Sequence, residues 1–147
     1  MTVSGNTAYK IGSNFGDGIY VDSARGLTYV NNLAYNNTNG LTVYLSQGVV
    51  HDNEARNNGR GLLVNDSDAG LRTPIYQNAL HDNDTGLVVE GNSEAYNNTA
   101  LGNRGAGILI TTNAGDNTWV HDNYAVKNGL GIRASDGRVF HNRVVGN

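Results

Sequence analysis

The chain has 147 residues, 38% of them hydrophobic, a formal net charge of −3 and no cysteine. That length fits one domain with a narrow core, and the absence of cysteine excludes a disulfide framework. Mild acidity without any basic run argues against nucleic acid or an anionic membrane as partner, and no apolar stretch approaches a transmembrane span.

In chain order the same short elements return. The first carries Val3, Asn6 and Ala8, and then Gly18 followed by Ile19 and Val21. The next carries Tyr29, Asn32, Ala34, Asn37 and Gly40 with Leu41 and Val43; Val50, Asn53, Ala55, Asn58 and Gly61 follow with Leu62 and Val64. Ile75, Asn78, Leu80, Asn83 and Gly86 lead into Leu87 and Val89, and Ala95, Asn98, Ala100, Asn103 and Gly107 into Ile108 and Ile110. Val120, Asn123, Ala125, Asn128 and Gly131 precede Ile132 and Ala134, and Val139, Asn142, Val144 and Asn147 close the series. Apolar residues two apart after each glycine predict short strands with those side chains on one face.

Successive glycines of the motif are 22, 21, 25, 21 and 24 residues apart, too short for a strand, a crossover helix and a further strand. A parallel solenoid is the economical solution, because each coil buries its inner side only against its neighbours. The asparagines suit the turns, since Asn tolerates left-handed backbone and its amide both donates and accepts. The glycine is expected to supply positive φ or room at a tight corner.

The segments NNLAYNNTNGLTVY (Asn31–Tyr44), HDNEARNNGRGLLV (His51–Val64) and NTALGNRGAGILI (Asn98–Ile110) resemble the coils of the right-handed parallel β-helix repeat family, and are most similar to those of mannuronan epimerases. The resemblance implies an all-β, right-handed parallel β-helix of about six to seven coils over residues 1–147, and an extracellular or cell-surface setting. Pectate lyases, phage tailspikes and adhesins share such coils, so function must be read from the faces. The Asp-Pro-His signature associated with the epimerases is absent, because the only proline, Pro74, lies in Thr-Pro-Ile.

Spacings between the first asparagines alternate, 26, 21, 25, 20, 25 and 19, so long and short coils pair into a unit of about 45 residues. The surplus residues, Asp22 to Leu27, Asn65 to Thr73 and Thr112 to Thr118, are expected to project from one edge as teeth roughly 10 Å apart. Beside them Val30, His51, Tyr76, Tyr96, His121 and Phe140 should point outward on successive coils, flanked by Thr28, Val49, Pro74, Glu94, Trp119 and Arg138. His51, Tyr76, Tyr96, Trp119, His121, Phe140 and Arg138 are therefore the candidate binding residues for a polysaccharide, with rings packing on sugar faces and charged margins bonding hydroxyls or a uronate carboxylate. The alternative is an aromatic ladder that only stabilises stacked strands.

Should the surface be catalytic, as a lyase or epimerase on an acidic glycan, His121 is the candidate base and Tyr96 the acid, with Arg72 or Arg138 neutralising the carboxylate. Glu94 and Asp116 are the pair a glycosidase would need. Asp66, Asp68 and Asp116 are the candidate calcium ligands, although the glycine-rich calcium repeat is missing. No other cofactor is implied. The His-Asp-Asn triplets at His51, His81 and His121 fall in different registers and predict no shared metal column. Leu63, Val88 and Leu109 would form an outer apolar strip, for lateral contact or packing under a tooth.

No cap is visible at either end, and Met1 is followed by polar residues rather than a signal sequence. The chain reads as one domain that is a segment of a longer β-helix or a self-stacking unit. Three functions are thus expected in order: a scaffold or polysaccharide-binding module, a polysaccharide lyase or epimerase, and a fibre-forming protein associating head to tail.

Overall fold

The computed structural model describes residues 1–10, 16–66, 72–112 and 117–147. Its strands form three parallel sheets. The first holds β1 (Thr2–Ser4), β4 (Leu27–Val30), β7 (Gly48–His51), β10 (Thr73–Tyr76), β13 (Ser93–Tyr96), β16 (Trp119–His121) and β19 (Arg138–Phe140). The second holds β2 (Thr7–Tyr9), β5 (Leu33–Tyr35), β8 (Glu54–Arg56), β11 (Ala79–His81), β14 (Thr99–Leu101), β17 (Tyr124–Val126) and β20 (Arg143–Val145). The third holds β3 (Asp17–Asp22), β6 (Asn39–Tyr44), β9 (Arg60–Asp66), β12 (Thr85–Gly91), β15 (Ala106–Ile110) and β18 (Leu130–Ala134). Every strand pairs with its counterpart one coil away, which is the expected parallel β-helix.

Inward columns fill the tube. Tyr29, Val50, Ile75, Ala95 and Val120 line the first sheet, and Ala34, Ala55, Leu80, Ala100 and Ala125 the second, all fully buried or nearly so. Leu41, Leu62, Leu87 and Ile108, with Val43, Val64, Val89 and Ile110, complete the wall from the third. Tyr29 places a large polar tip inside; its hydroxyl donates to the Ile19 carbonyl at 3.2 Å, and burial pushes its phenol pKa up.

Both asparagine columns are buried ladders. Asn53 Nδ2 donates to Asn78 Oδ1 at 2.9 Å and back to the Tyr29 carbonyl at 3.0 Å, while the Asn53 N–H also donates to Asn78 Oδ1. The second column repeats this from Asn58 to Asn83, where the amide-to-amide distance is 3.1 Å. Turn groups that would otherwise be stranded inside the corners are satisfied coil by coil.

The left-handed backbone lies one residue earlier than expected. Asn31, Asp52, Gln77, Asn97, Asp122 and His141 precede the first ladder, Asn36, Asn57, Asp82 and Lys127 the second, and all have φ between 52 and 59°. Each turn thus puts its strained residue outside and its ladder amide inside. The motif glycines serve by absence of bulk: a Cβ on Gly40 would lie 2.6 Å from the Gly61 carbonyl oxygen and 2.8 Å from Asn58 Nδ2.

Leu63 and Val88 are only 8% and 3% exposed and Leu109 is half-buried, so the chain itself covers the strip expected to be an open apolar face. The connections expected to carry the surplus residues, β3 to β4, β9 to β10 and β15 to β16, each join the third sheet to the first. Across two of them Arg72 donates from Nε to the Asn117 carbonyl at 2.9 Å and from Nη2 to Asn117 Oδ1 at 2.7 Å, a contact 45 residues apart that spans one double coil.

Candidate functional site

Strand register builds the outward stripe. His51 pairs with Tyr76, Tyr76 with Tyr96, Tyr96 with His121 and His121 with Phe140 on successive strands of the first sheet. Strands lie about 4.8 Å apart, the thickness at which rings stack. Ring centroids are accordingly 4.8, 5.2, 5.5 and 4.8 Å apart along the series, with interplanar angles of 4, 17, 7 and 8°. The faces meet one another, so the surface turned to solvent consists of ring edges and polar tips. The hydroxyls of Tyr76 and Tyr96 have no partner among the described residues.

Pro74, Glu94, Trp119 and Arg138 form the neighbouring column. The Arg72 guanidinium lies 3.7 Å from the Trp119 ring centroid and that of Arg138 5.5 Å from it. Asn117 Oδ1 accepts from Trp119 Nε1 at 3.1 Å as well as from Arg72, which fixes the indole. Neither arginine is in an ion pair among the described residues. The indole therefore carries two cations beside the stripe.

Glu94 Oε1 lies 3.1 Å from His121 Nε2, and Asp122 Oδ2 2.7 Å from His121 Nδ1. Burial alone works to lower the His121 pKa, but the hydrogen bonds and charges of Asp122 and Glu94 together raise it. The ring lies between two carboxylates, with both nitrogens engaged. Tyr96 is pushed up by burial first, then by Tyr76 and Glu94, so its phenol keeps its proton. The expected base and acid do lie together with Glu94, and Arg72 stands one column away on Trp119.

Asp122 escaped the sequence reading as a partner, although the repeated His-Asp pair was its signal. His51 bonds Asp52 at 2.7 Å, and His81 bonds Asp82 at 2.8 Å and Glu54 at 3.4 Å, in the same manner. A second ring stack on the outer second sheet, Tyr9 on Tyr35 at 5.1 Å with Arg56 4.4 Å over Tyr35, was also missed. Of the calcium candidates, Asp66 is buried and accepts from Thr73 Oγ1 at 2.8 Å, while Asp68 and Asp116 lie outside the described residues.

Fold and surface define a parallel β-helix solenoid with a polar aromatic ridge on one sheet. The chain belongs to the NosD family, described as periplasmic copper-binding protein, whose profile matches residues 1–142. Among solved structures it is similar to the periplasmic alginate epimerase AlgG, at 18% identity and a TM-score of 0.67, covering 98% of this chain and 38% of that one. Two mutant forms of AlgG match at 16% and 15% identity with TM-scores of 0.68 and 0.63, over 97% of this chain and 39% and 45% of theirs. The chain thus spans about two fifths of the length of those structures, and at this identity the likeness is one of fold. No curated protein matches the sequence.

The described residues do not fit a copper centre. The sequence holds 4 histidines, 1 methionine and no cysteine, all within the described residues. His51 and His121 are three strand spacings apart, about 14 Å, and His81 is on another sheet. No group of three or more His, Cys, Asp or Glu among the described residues is arranged to hold a metal ion.

Proposed function

We propose that this chain is a polysaccharide-binding β-helical module of the periplasm or cell exterior, engaging an acidic glycan along the outer face of its first sheet. The observation that carries this is the ridge itself: two phenol hydroxyls at strand spacing, without partners among the described residues, beside a Trp119 flanked by the guanidiniums of Arg72 and Arg138. A chain of uronates lying along the helix axis would meet hydroxyl donors and acceptors on successive coils and set its carboxylates against the arginines. The periplasmic description of the family and the fold of an alginate epimerase agree with that setting.

Binding is favoured over catalysis. A proton-abstracting base needs a free imidazole nitrogen, and both nitrogens of His121 face carboxylates. An acidic glycan also suits a surface whose two arginines have no acid partner among the described residues, despite the net negative charge of the chain.

Calorimetric titration with alginate and with a neutral glucan tests the reading. The expected result is binding of alginate only, without any unsaturated or epimerised product. Arg138→Gln should weaken it about tenfold, in keeping with one charged hydrogen bond. The Tyr76→Phe, Tyr96→Phe double variant keeps the stack and removes both hydroxyls, and should weaken binding by a similar factor. Equal affinity for both polymers, or variants that bind as the parent does, would contradict the proposal.

A further inference from the structure

The corner between the second and third sheets holds a cleft of about 510 Å³, on a different edge of the tube from the aromatic ridge. Its wall is the column Asp17, Asn39, Arg60 and Thr85, in register at the starts of β3, β6, β9 and β12. Its floor is Gly59, where a Cβ would lie 2.5 Å from the Thr38 carbonyl oxygen. Gly59 itself therefore admits no side chain at this coil contact.

The charges in the cleft are unequally occupied. Asp84 is paired with Arg104, and Asp17 Oδ1 accepts from Thr42 Oγ1 at 2.8 Å. Arg60 stands two strand spacings from Asp17, about 10 Å, with Asn39 between them, and its guanidinium has no partner among the described residues. One free guanidinium offers a bidentate seat for a carboxylate. Around it the Asn39 amide and the Thr85 hydroxyl both donate and accept, and the remaining carboxylate oxygens of Asp17 and Asp84 accept only. A multiply charged anion such as phosphate would face those two carboxylates. A ligand with one carboxylate and several hydroxyls matches the set group by group, and the volume lies in the range of small-molecule sites.

We propose that this cleft is a second carbohydrate site, taking a single uronate unit with its carboxylate on Arg60 and its hydroxyls on Asn39, Thr85, Asp17 and Asp84. It is independent of the ridge, which would follow an extended polymer.

Amide chemical-shift mapping of the full chain with sodium glucuronate, and in parallel with glucose, tests it. Glucuronate should move Gly59, Arg60 and Thr85 and leave Tyr76 and Tyr96 in place; glucose should bind at least about tenfold more weakly. Arg60→Gln, on an exposed side chain, should lower glucuronate affinity by a similar factor, with Arg60→Lys between the two. Shifts confined to the first sheet, equal binding of glucose, or unchanged affinity in Arg60→Gln would each overturn the proposal, and none of them would count against alginate binding at the ridge.

Discussion

Asn97 and Asn98 are adjacent and identical in type, yet the structure gives them opposite duties. Asn98 donates from Nδ2 to the Ile75 carbonyl at 2.9 Å and to Asn123 Oδ1 at 3.0 Å, and accepts from Asn78, whereas Asn97 is exposed with φ 53°. Asn98→Ala orphans buried groups at about 1–3 kcal/mol each and should cost about 3 kcal/mol or more in chemical denaturation. Asn97→Gly keeps the left-handed turn and should leave the midpoint nearly unchanged. Gly86→Ala would set a Cβ 2.5 Å from the Gly107 carbonyl oxygen, a backbone atom that cannot yield cheaply, and should destabilise by about 1–3 kcal/mol or more. His121 supplies a pH signature. Its folded pKa is raised above the ordinary value of about 6.5, so its contribution is complete below that pH and fades as pH rises through the folded pKa. The loss of melting temperature in His121→Gln should therefore be larger at about pH 5.5, where the facing carboxylates are still ionised, than at about pH 8.5.

At the scale of the strand, a ring in the stripe stabilises through its faces and is available to ligands through its edge. Tyr96 lies between Tyr76 at 5.2 Å and His121 at 5.5 Å. Removing it in Tyr96→Ala loses two stacked contacts, and a cost of about 1–3 kcal/mol is expected by thermal or urea unfolding. Tyr96→Phe should retain that stability while losing the ligand-facing hydroxyl, which separates the two roles in one position. The strands themselves were legible in the sequence because their period of two and their spacing repeat with every coil. Ring orientation was not, since residue identity shows that Tyr76 and Tyr96 share a column but not whether they face each other or the solvent. The Glu94 to His121 contact was hidden for a related reason: Glu94 pairs in register with Trp119, and reaches His121 only diagonally.

For the whole molecule, stability is a chain of nearest-neighbour terms, with the first asparagine ladder running from Asn6 to Asn142 and the second from Asn37 to Asn147. A defect in a central coil, as in Asn98→Ala, should therefore propagate further in hydrogen exchange than one near either terminus. Length, glycine spacing and the paired asparagines sufficed to read the solenoid and the corner that carries the surplus residues of alternate coils. The cleft at Gly59 was not legible, because it depends on how aligned turns pack and on Arg60 having no ion-pair partner among the described residues, with Asp84 of the next coil paired to Arg104. The central functional claim is that one face of this tube, the outer first sheet, holds an acidic polymer. Amide chemical-shift mapping with short alginate oligomers addresses it directly. The account predicts perturbations running along β7, β10, β13, β16 and β19 and centred on Tyr76, Tyr96 and Trp119; shifts absent there, or confined to the second sheet, would contradict it.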